Sequence, residues 1–195
     1  SPSTPLGSLD APVVTAAFAL GCGARFVARG IDTDQKRLPG ILARAHAHKG
    51  TSFVEIYQNC IVYNDGVFSD FTEKTVAEDN QLHLEHGQPM VFGKERDKGI
   101  RVKPGTVGVE VVTLGENGVT EADLLVHDET DHNIASLLAN MGHPEFPVPV
   151  GVLYCNPEPS YERMVHQQMD EAREKSGGKA DMNALLRRGY TWTVQ

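Results

Sequence analysis

Cys60 is the residue whose position most suggests chemistry. It ends the run YQNC at residues 57–60, directly after an apolar and β-branched segment that predicts a buried strand over residues 51–57. Open sheets bind ligands at the carboxyl ends of their parallel strands. A thiolate there can ligate iron in a cluster, although a free cysteine is more often a small buried hydrophobic residue. The residue types alone leave both roles open for Cys60.

Other titratable residues lack the spacing that a metal site needs. Cys22 and Cys155 lie in apolar stretches, which favours a buried packing role for both. Glu55 is the odd residue of its apolar strand, and it is a buried general base, an exposed strand end or a paired carboxylate. Six histidines form pairs that suggest a metal site, namely His46 with His48, His83 with His86, and His127 with His132. The first pair would point to different faces of a helix, and only the second could chelate, if helical, with no third ligand implied. Exposed or structurally hydrogen-bonded histidines are therefore favoured.

Phosphate-binding and hydrolase motifs are missing from the sequence. There is no Walker-type glycine-rich loop and no GxSxG motif. The GCG run at residues 21–23 has no third glycine in register and precedes a predicted strand instead of following one. It therefore fails as a dinucleotide-binding fingerprint.

The first 60 residues predict the alternation helix, strand, helix, strand. The helices are predicted over residues 11–20 and 38–48, and the strands over residues 24–31 and 51–57. A helix that connects two strands of one sheet implies that the strands are parallel. Two strands cannot cover two layers of helices, so this pattern predicts the C-terminal part of a doubly wound, mostly parallel α/β sheet.

The rest of the sequence predicts a β-rich appendage followed by helices. A polar loop covers residues 58–79, and Pro149 places a further strand, residues 148–154, at a sheet edge. The short strands of the appendage are predicted at residues 89–92, 99–102, 108–112 and 124–126. The helices are predicted at residues 131–140, 161–175 and 182–188.

Length, composition and charge narrow the class of protein. The 195 residues suit one α/β domain with an appendage, and 40% hydrophobic with 23% charged residues excludes wholesale disorder. A net charge of −8 argues against a broad nucleic-acid-binding face. No apolar stretch approaches the roughly 18 residues that a membrane span needs. Three cysteines fit a reducing cytoplasm.

Nine short stretches carry a family resemblance, and the similarity as a whole extends from Ser1 to Trp192. They are STPLGSLD at residues 3–10, ARFVAR at 24–29, FVEIYQNC at 53–60, NDG at 64–66, HGQPMVFG at 86–93, KGIR at 98–101, LVHD at 125–128, PVGV at 149–152 and PSY at 159–161. Together they resemble the beta subunit of 2-oxoacid:ferredoxin oxidoreductases, and the 2-oxoglutarate branch is the nearest match.

The resemblance implies a subunit of a cytoplasmic enzyme. In this family the beta subunit holds thiamine diphosphate, Mg²⁺ and a four-iron four-sulfur cluster, and it works with an alpha subunit. The 2-oxoacid is oxidatively decarboxylated, coenzyme A takes the acyl group, and the electrons pass through the cluster to ferredoxin. Cys60 matches the late, isolated cysteine ligand of that cluster. No catalytic residue is identified by the match.

The family's early cysteines and its diphosphate-and-magnesium motif precede the region that matches this sequence. The resemblance therefore predicts a C-terminal half: residues 1–60 as the second half of the thiamine-diphosphate-binding domain, and residues 61–195 as the C-terminal extension. We expect no complete cofactor site here, and little activity without the N-terminal half and the alpha subunit. Two alternatives stay open, namely pyruvate or branched-chain 2-oxoacid specificity and a non-catalytic interaction domain.

Overall fold

A computed structural model describes residues 9–177, 181–189 and 192–194, so most of the stretch at residues 3–10 lies outside the described residues. The chain divides into two compact units, Ser1–Glu158 and Pro159–Gln195. The larger sheet of the first unit takes strands from both sides of residue 60. A domain boundary at residue 60 stays a prediction.

The helices and strands follow one another along the chain in a mixed α/β order. The first unit contains α1 (Thr15–Gly21), β1 (Phe26–Ile31), α2 (Leu38–Ala47), β2 (Phe53–Tyr57), α3 (Ser69–Thr72), α4 (Ala77–Asn80), β3 (Gln81–His83), β4 (Val91–Phe92), β5 (Lys98–Val102), β6 (Val109–Thr113), α5 (His132–Asn140) and β7 (Val148–Cys155). Short 3₁₀ turns cover Glu116–Gly118 and Glu121–Asp123. The second unit contains α6 (Tyr161–Lys175) and α7 (Met182–Leu186).

Two sheets organise the first unit. The larger sheet has the strand order β2-β1-β7-β3, in which β2 is parallel to β1, β3 is parallel to β7, and β1 is antiparallel to β7. The smaller sheet is antiparallel, with the order β4-β5-β6. The predicted fold class, a mostly parallel α/β sheet with a β-rich appendage and C-terminal helices, is confirmed.

Helices cover both faces of the larger sheet because successive strand residues point to opposite sides. Val27 of β1 packs into a core with Leu20 of α1 and Leu138 of α5. Its neighbour Ala28 packs on the other face, against Ile41 of α2. Buried apolar surface on both faces therefore fixes β1 in the centre of the unit.

The prediction that Pro149 marks an edge strand is wrong. β7 lies inside the sheet, between β1 and β3, and Pro149 is opposite Leu82 of β3. The Val150 carbonyl accepts from the Leu84 amide on the β3 side, so the missing N–H of Pro149 faces the β1 side. The pairing of β7 with β1 extends only as far as Gly151, so Pro149 has no paired residue on β1. The missing N–H of Pro149 therefore removes no hydrogen bond from the sheet.

The strand predicted over residues 51–57 is confirmed as β2, but the prediction that it is buried is wrong. Among the described residues β2 is an edge strand, and its residues are half-buried except for Ile56, which is exposed. Residues 124–126 form no strand either. Instead, the Leu125 amide donates to the Ile100 carbonyl, and Leu124 packs on Gly99 of β5. The predicted loop at residues 58–79 contains the short helices α3 and α4.

Candidate functional site

Cys60 lies in an exposed loop three residues beyond the end of β2. The Asn64 amide donates to the Cys60 carbonyl at 2.9 Å, and the two residues form an isolated antiparallel bridge. Residues 60–64 are therefore a closed loop whose neck is formed by Cys60 and Asn64. We call residues 60–64 the thiol loop. The thiol lies at the carboxyl end of β2, where a ligand can reach it.

The side chain of Asn59 holds the neck of the thiol loop. Its amide group donates to an Asp65 carboxylate oxygen at 2.8 Å, and its carbonyl oxygen accepts from the Gly66 amide at 2.9 Å. Gly66 has φ = 71°, a left-handed conformation that glycine adopts without steric cost. One side chain thus joins both ends of the loop.

The tip of the thiol loop is apolar and exposed. Ile61 is 78% exposed and Tyr63 is 65% exposed, with Val62 between them. Three consecutive exposed hydrophobic residues are unusual for a surface that faces only water. The thiol therefore lies beside an apolar surface.

Arg29 of β1 and Glu55 of the edge strand β2 form an ion pair that is largely buried. Arg29 is only 2% exposed, and its Nε donates to Glu55 at 2.6 Å. Its Nη2 donates to the Ala139 carbonyl of α5 at 3.2 Å, while Thr15 of α1 donates to the other oxygen of Glu55. Of the possibilities predicted for Glu55, the structure shows the paired carboxylate.

Sequence reasoning missed Arg29. The available signal was a charged residue inside a predicted strand, and the parallel register places Arg29 directly opposite Glu55. The guanidinium also lies 5.5 Å from the ring centre of Tyr57, the last residue of β2. Burial raises the pKa of the Tyr57 phenol, and the positive charge of Arg29 opposes that rise. Tyr57 therefore stays protonated and packs on Phe68.

An open cleft of about 1120 Å³ lies beyond the carboxyl ends of β1 and β2. Arg37, Asn59, Phe68 and His83 are among its lining residues, together with several carboxylates. Burial lowers the pKa of His83, and the positive charge of Arg37 lowers it further. His83 is therefore a neutral group in the wall of the cleft at pH 7.

The two other cysteines lie far along the chain from the thiol loop. Cys22 follows α1 and is exposed, so the prediction that it is buried is wrong, because the helix ends just before it. Cys155 ends β7 and is half-buried. Burial and the neighbouring Glu129 raise the pKa of the Cys155 thiol, although Arg44 opposes the shift. Cys155 is therefore protonated, unlike a metal-bound thiolate.

The predicted structural role of the histidines holds for three of them in the first unit. The Nε2 atom of His127 is 2.9 Å from the Val152 carbonyl, and that of His132 is 3.5 Å from the Leu20 carbonyl. His86 lies 3.8 Å from an Asp128 oxygen. Within residues 9–177, 181–189 and 192–194, no three His, Cys, Asp or Glu side chains are grouped to hold a metal ion.

The chain is similar in sequence to subunits of known 2-oxoacid oxidoreductases. The subunit KorB of a 2-oxoglutarate oxidoreductase from Mycobacterium tuberculosis is 35% identical over 200 residues, which cover 98% of this chain and 51% of KorB. This chain is a homologue of KorB. A 2-oxoacid:ferredoxin oxidoreductase beta subunit from Saccharolobus solfataricus is 34% identical over 74 residues, 38% of this chain and 24% of that subunit. The resemblance to these beta subunits is thus confirmed.

A solved structure supports the fold of this KorB homologue. A chain of the 2-oxoglutarate:ferredoxin oxidoreductase from Magnetococcus marinus superposes with a TM-score of 0.58 at 19% identity, over 97% of this chain and 48% of that one. No known protein-family model matches the sequence. The chain spans about half the length of KorB, in keeping with a match to one half of such a subunit.

The cofactors of this family need more ligands than the described residues bring together. A four-iron four-sulfur cluster takes about four thiolates, and the sequence has three cysteines, of which only Cys60 lies in the thiol loop. The part of the chain in view brings together no group of three His, Cys, Asp or Glu side chains that could hold a metal ion. Cys60 can supply one thiolate and no complete site.

The structure also bears on membrane association. In the described ranges no helix has both the length and the apolar composition to cross a bilayer.

Proposed function

We propose that this chain forms part of the beta subunit of a 2-oxoglutarate:ferredoxin oxidoreductase. The assembled enzyme converts 2-oxoglutarate, coenzyme A and two oxidised ferredoxins to succinyl-CoA, carbon dioxide, two reduced ferredoxins and a proton. An alpha subunit and further beta-subunit polypeptide complete the active site. The observation that carries this proposal is the 35% identity to KorB along 98% of the chain.

Cys60 is proposed as one thiolate ligand of the iron–sulfur cluster that thiamine-diphosphate-dependent enzymes of this family contain. Two features of the structure support this role. The thiol is exposed at the carboxyl end of β2, and Asn59 fixes the neck of its loop. A ligand held in place before binding loses less conformational entropy when the metal binds.

The test compares two cysteine variants in the enzyme assembled from the complete beta and alpha subunits. Cys60→Ala is expected to remove or weaken the visible absorbance of the cluster and to slow ferredoxin reduction by tenfold or more. Cys22→Ala removes another exposed cysteine and is expected to change neither. Wild-type cluster content and electron transfer in Cys60→Ala would refute the assignment of Cys60.

A substrate panel tests the proposed reaction itself. The assembled enzyme is expected to reduce ferredoxin with 2-oxoglutarate and coenzyme A much faster than with pyruvate or branched-chain 2-oxoacids. Faster reaction with pyruvate would replace the proposed specificity by that alternative. Inactivity with every 2-oxoacid, in an assembly that carries its cofactors, would favour the non-catalytic interaction domain.

A further inference from the structure

The larger sheet of the first unit is open at β2. Among the described residues, β2 pairs with β1 on one side and with no strand on the other. The Asp32 amide donates to the Tyr57 carbonyl at 3.1 Å, so the backbone polar groups of Tyr57 point toward β1. These groups alternate in direction along a strand, and those of Val54 and Ile56 therefore point away from β1. The sheet ends in backbone groups that can pair with a further strand.

Helix α2 exposes an apolar side chain on the flank nearer to β2. Ile41 packs toward the sheet, and Arg44 donates to Glu129 on the flank nearer to β7, whose Cys155 amide donates to the Glu129 carbonyl. Leu42 and Arg44 are about 160° apart around the helix at 3.6 residues per turn. Leu42 therefore lies on the flank nearer to β2, and it is 43% exposed.

Helix α1 has the same feature on the other face of the sheet. Thr15 donates to Glu55 of β2, so the side of α1 that carries Thr15 is turned toward β2. Phe18 follows on that side, because residues three apart are neighbours on a helix, and it is 66% exposed. Helix α1, strand β2 and helix α2 thus each expose an apolar residue at one end of the first unit. We call this surface the β2 end, and it consists of Phe18, Leu42, Val54 and Ile56.

The relatives of this chain contain polypeptide that can cover the β2 end. The chain aligns over 98% of its length with only 51% of KorB, and it superposes over 97% of its length on only 48% of the Magnetococcus marinus chain. About half of each relative therefore has no counterpart in this chain. A parallel strand pair with helices on both faces is typical of the interior of an α/β sheet. The unmatched half is thus the occupant that the architecture favours.

A second copy of the chain is a weaker candidate for the β2 end. Each copy carries a net charge of −8, so two copies repel one another as they approach. In KorB the matched and unmatched halves belong to one chain, which gives the unmatched half a high effective concentration at the matched one. A second copy has no such advantage and binds only at its own concentration in solution.

We propose that the β2 end is the interface with the rest of the beta subunit. A strand from polypeptide equivalent to the unmatched half of KorB pairs with β2 on the side away from β1, through the backbone groups of Val54 and Ile56. Apolar side chains of the same polypeptide cover Phe18 and Leu42. This inference rests on the proposed function, because it assigns the neighbouring strand to the beta subunit of the oxidoreductase.

Amide hydrogen exchange in the complete beta subunit, without the alpha subunit, tests the proposal. The Glu55 amide is the internal control, because Glu55 lies two residues before Tyr57 and also points its backbone groups toward β1. We expect the amides of Val54 and Ile56 to exchange at rates within about tenfold of the Glu55 rate. At an open edge they would exchange about 100-fold faster than Glu55 or more, and that result would overturn the proposal.

Two lysine variants of α2 add the same charge at different places on the helix. Leu42→Lys puts it in the β2 end, and Ala43→Lys puts it about 200° around the helix from Ile41, on the exposed side away from the sheet. We expect Leu42→Lys to speed exchange of the Val54 and Ile56 amides in the complete beta subunit by about tenfold or more. Ala43→Lys is expected to change these rates less than about twofold. Equal rates in the two variants would refute the covering of Leu42.

The remaining outcomes identify a different occupant or separate this inference from the proposed function. Slow exchange that depends on protein concentration, with a dimer in sedimentation, would assign the β2 end to a second copy. Slow exchange that appears only after the alpha subunit is added would assign it to that subunit, and either result would overturn the proposal. Slow exchange in an assembled enzyme that does not oxidise 2-oxoglutarate would uphold the interface and refute the function. Fast exchange in an active enzyme would do the reverse.

Discussion

A buried ion pair connects two strands and two helices of the first unit. Arg29 reaches Glu55 on the neighbouring strand, and Glu55 reaches Thr15 of α1. The same guanidinium donates to the Ala139 carbonyl in the last turn of α5. Its Nη1 is buried and has no hydrogen-bond partner among the described residues. The buried guanidinium stabilises the fold only while its hydrogen-bond acceptors stay in place, because a buried charge without a partner is destabilising.

Removing the guanidinium should therefore cost more than removing the whole pair. We expect Arg29→Met to lower the free energy of unfolding by about 3 kcal/mol, because Glu55 is left as a largely buried carboxylate without its cation. The double variant Arg29→Met/Glu55→Leu should recover most of that loss, since matched apolar groups can replace a buried ion pair. Urea unfolding measures both values. Equal losses in the single and double variants would show that the pair does not act as a unit.

His127 should make the stability of the chain depend on pH. Burial lowers its pKa below the ordinary 6.5, although the Val152 carbonyl, Glu129 and Asp128 oppose the shift. A lowered histidine pKa means that the folded protein favours the neutral ring. Its contribution to stability is then complete above pH 6.5 and is lost as the pH falls below about 6.5. The carboxylates with lowered pKa, such as Asp79, lose their contribution only below about 3.8.

Urea unfolding at pH 8.0 and pH 5.5 measures this effect. Wild type is expected to be less stable at the lower pH, and His127→Gln is expected to lose part of that dependence, because glutamine can still donate to the Val152 carbonyl but does not titrate. His83, whose pKa burial also lowers, accounts for a further part. An identical pH dependence in His127→Gln would show that His127 is not responsible.

Among the elements, the smaller sheet depends on a close approach that only glycine permits. A Cβ atom on Gly99 of β5 would lie 2.5 Å from both methyl carbons of Leu124. The segment that contains Leu124 is attached to β5 by the bond from the Leu125 amide to the Ile100 carbonyl. The segment can pack on the sheet only because residue 99 has no side chain.

A pair of glycine variants isolates this contact. Gly99→Ala is expected to lower the free energy of unfolding by about 1–3 kcal/mol through overpacking. Gly40→Ala in α2 meets open space at an ordinary φ, so it should raise the free energy of unfolding by about 0.5 kcal/mol. Thermal unfolding of both variants tests the difference. A Gly99→Ala variant as stable as wild type would show that Leu124 moves aside at little cost.

Helices and strands with a strong local signal could be predicted from the sequence. The order in which the strands lie in a sheet could not. The helix His132–Asn140 begins where Asp131 accepts from the amides of its first turn, a signal that is local in sequence. The position of β7 between β1 and β3 depends on contacts more than 60 residues apart, which no local pattern encodes. Pro149 therefore suggested an edge for a strand that lies inside the sheet.

In the candidate site, too, the features that are local in sequence could be predicted, and the contacts between distant residues could not. The position of Cys60 after a strand follows from the order of residues along the chain, and the structure places it there. The ion pair of Arg29 with Glu55 depends on the register of two strands, which the alternation of apolar residues does not specify for a half-buried edge strand. The exposure of Cys22 depends on where α1 ends within an apolar stretch.

For the molecule as a whole, one exposed apolar surface of the first unit lies along β2 and the thiol loop. Among the described residues β2 has a partner on one side only, and Ile56 and Ile61 are both exposed. An open edge strand without lysine, proline or a bulge can pair with another chain. We therefore expect the chain, when it is alone in solution, to self-associate through this edge.

Two lysine substitutions with the same effect on total charge test that expectation. Ile56→Lys places a charge on the open edge, and Val107→Lys places one in a loop where the side chain is already 94% exposed. Both reduce the net charge from −8 to −7, which weakens general repulsion equally. Only Ile56→Lys should lower the sedimentation coefficient at high concentration, because it alone opposes pairing at β2. If both variants associate like wild type, the contact lies elsewhere on the molecule.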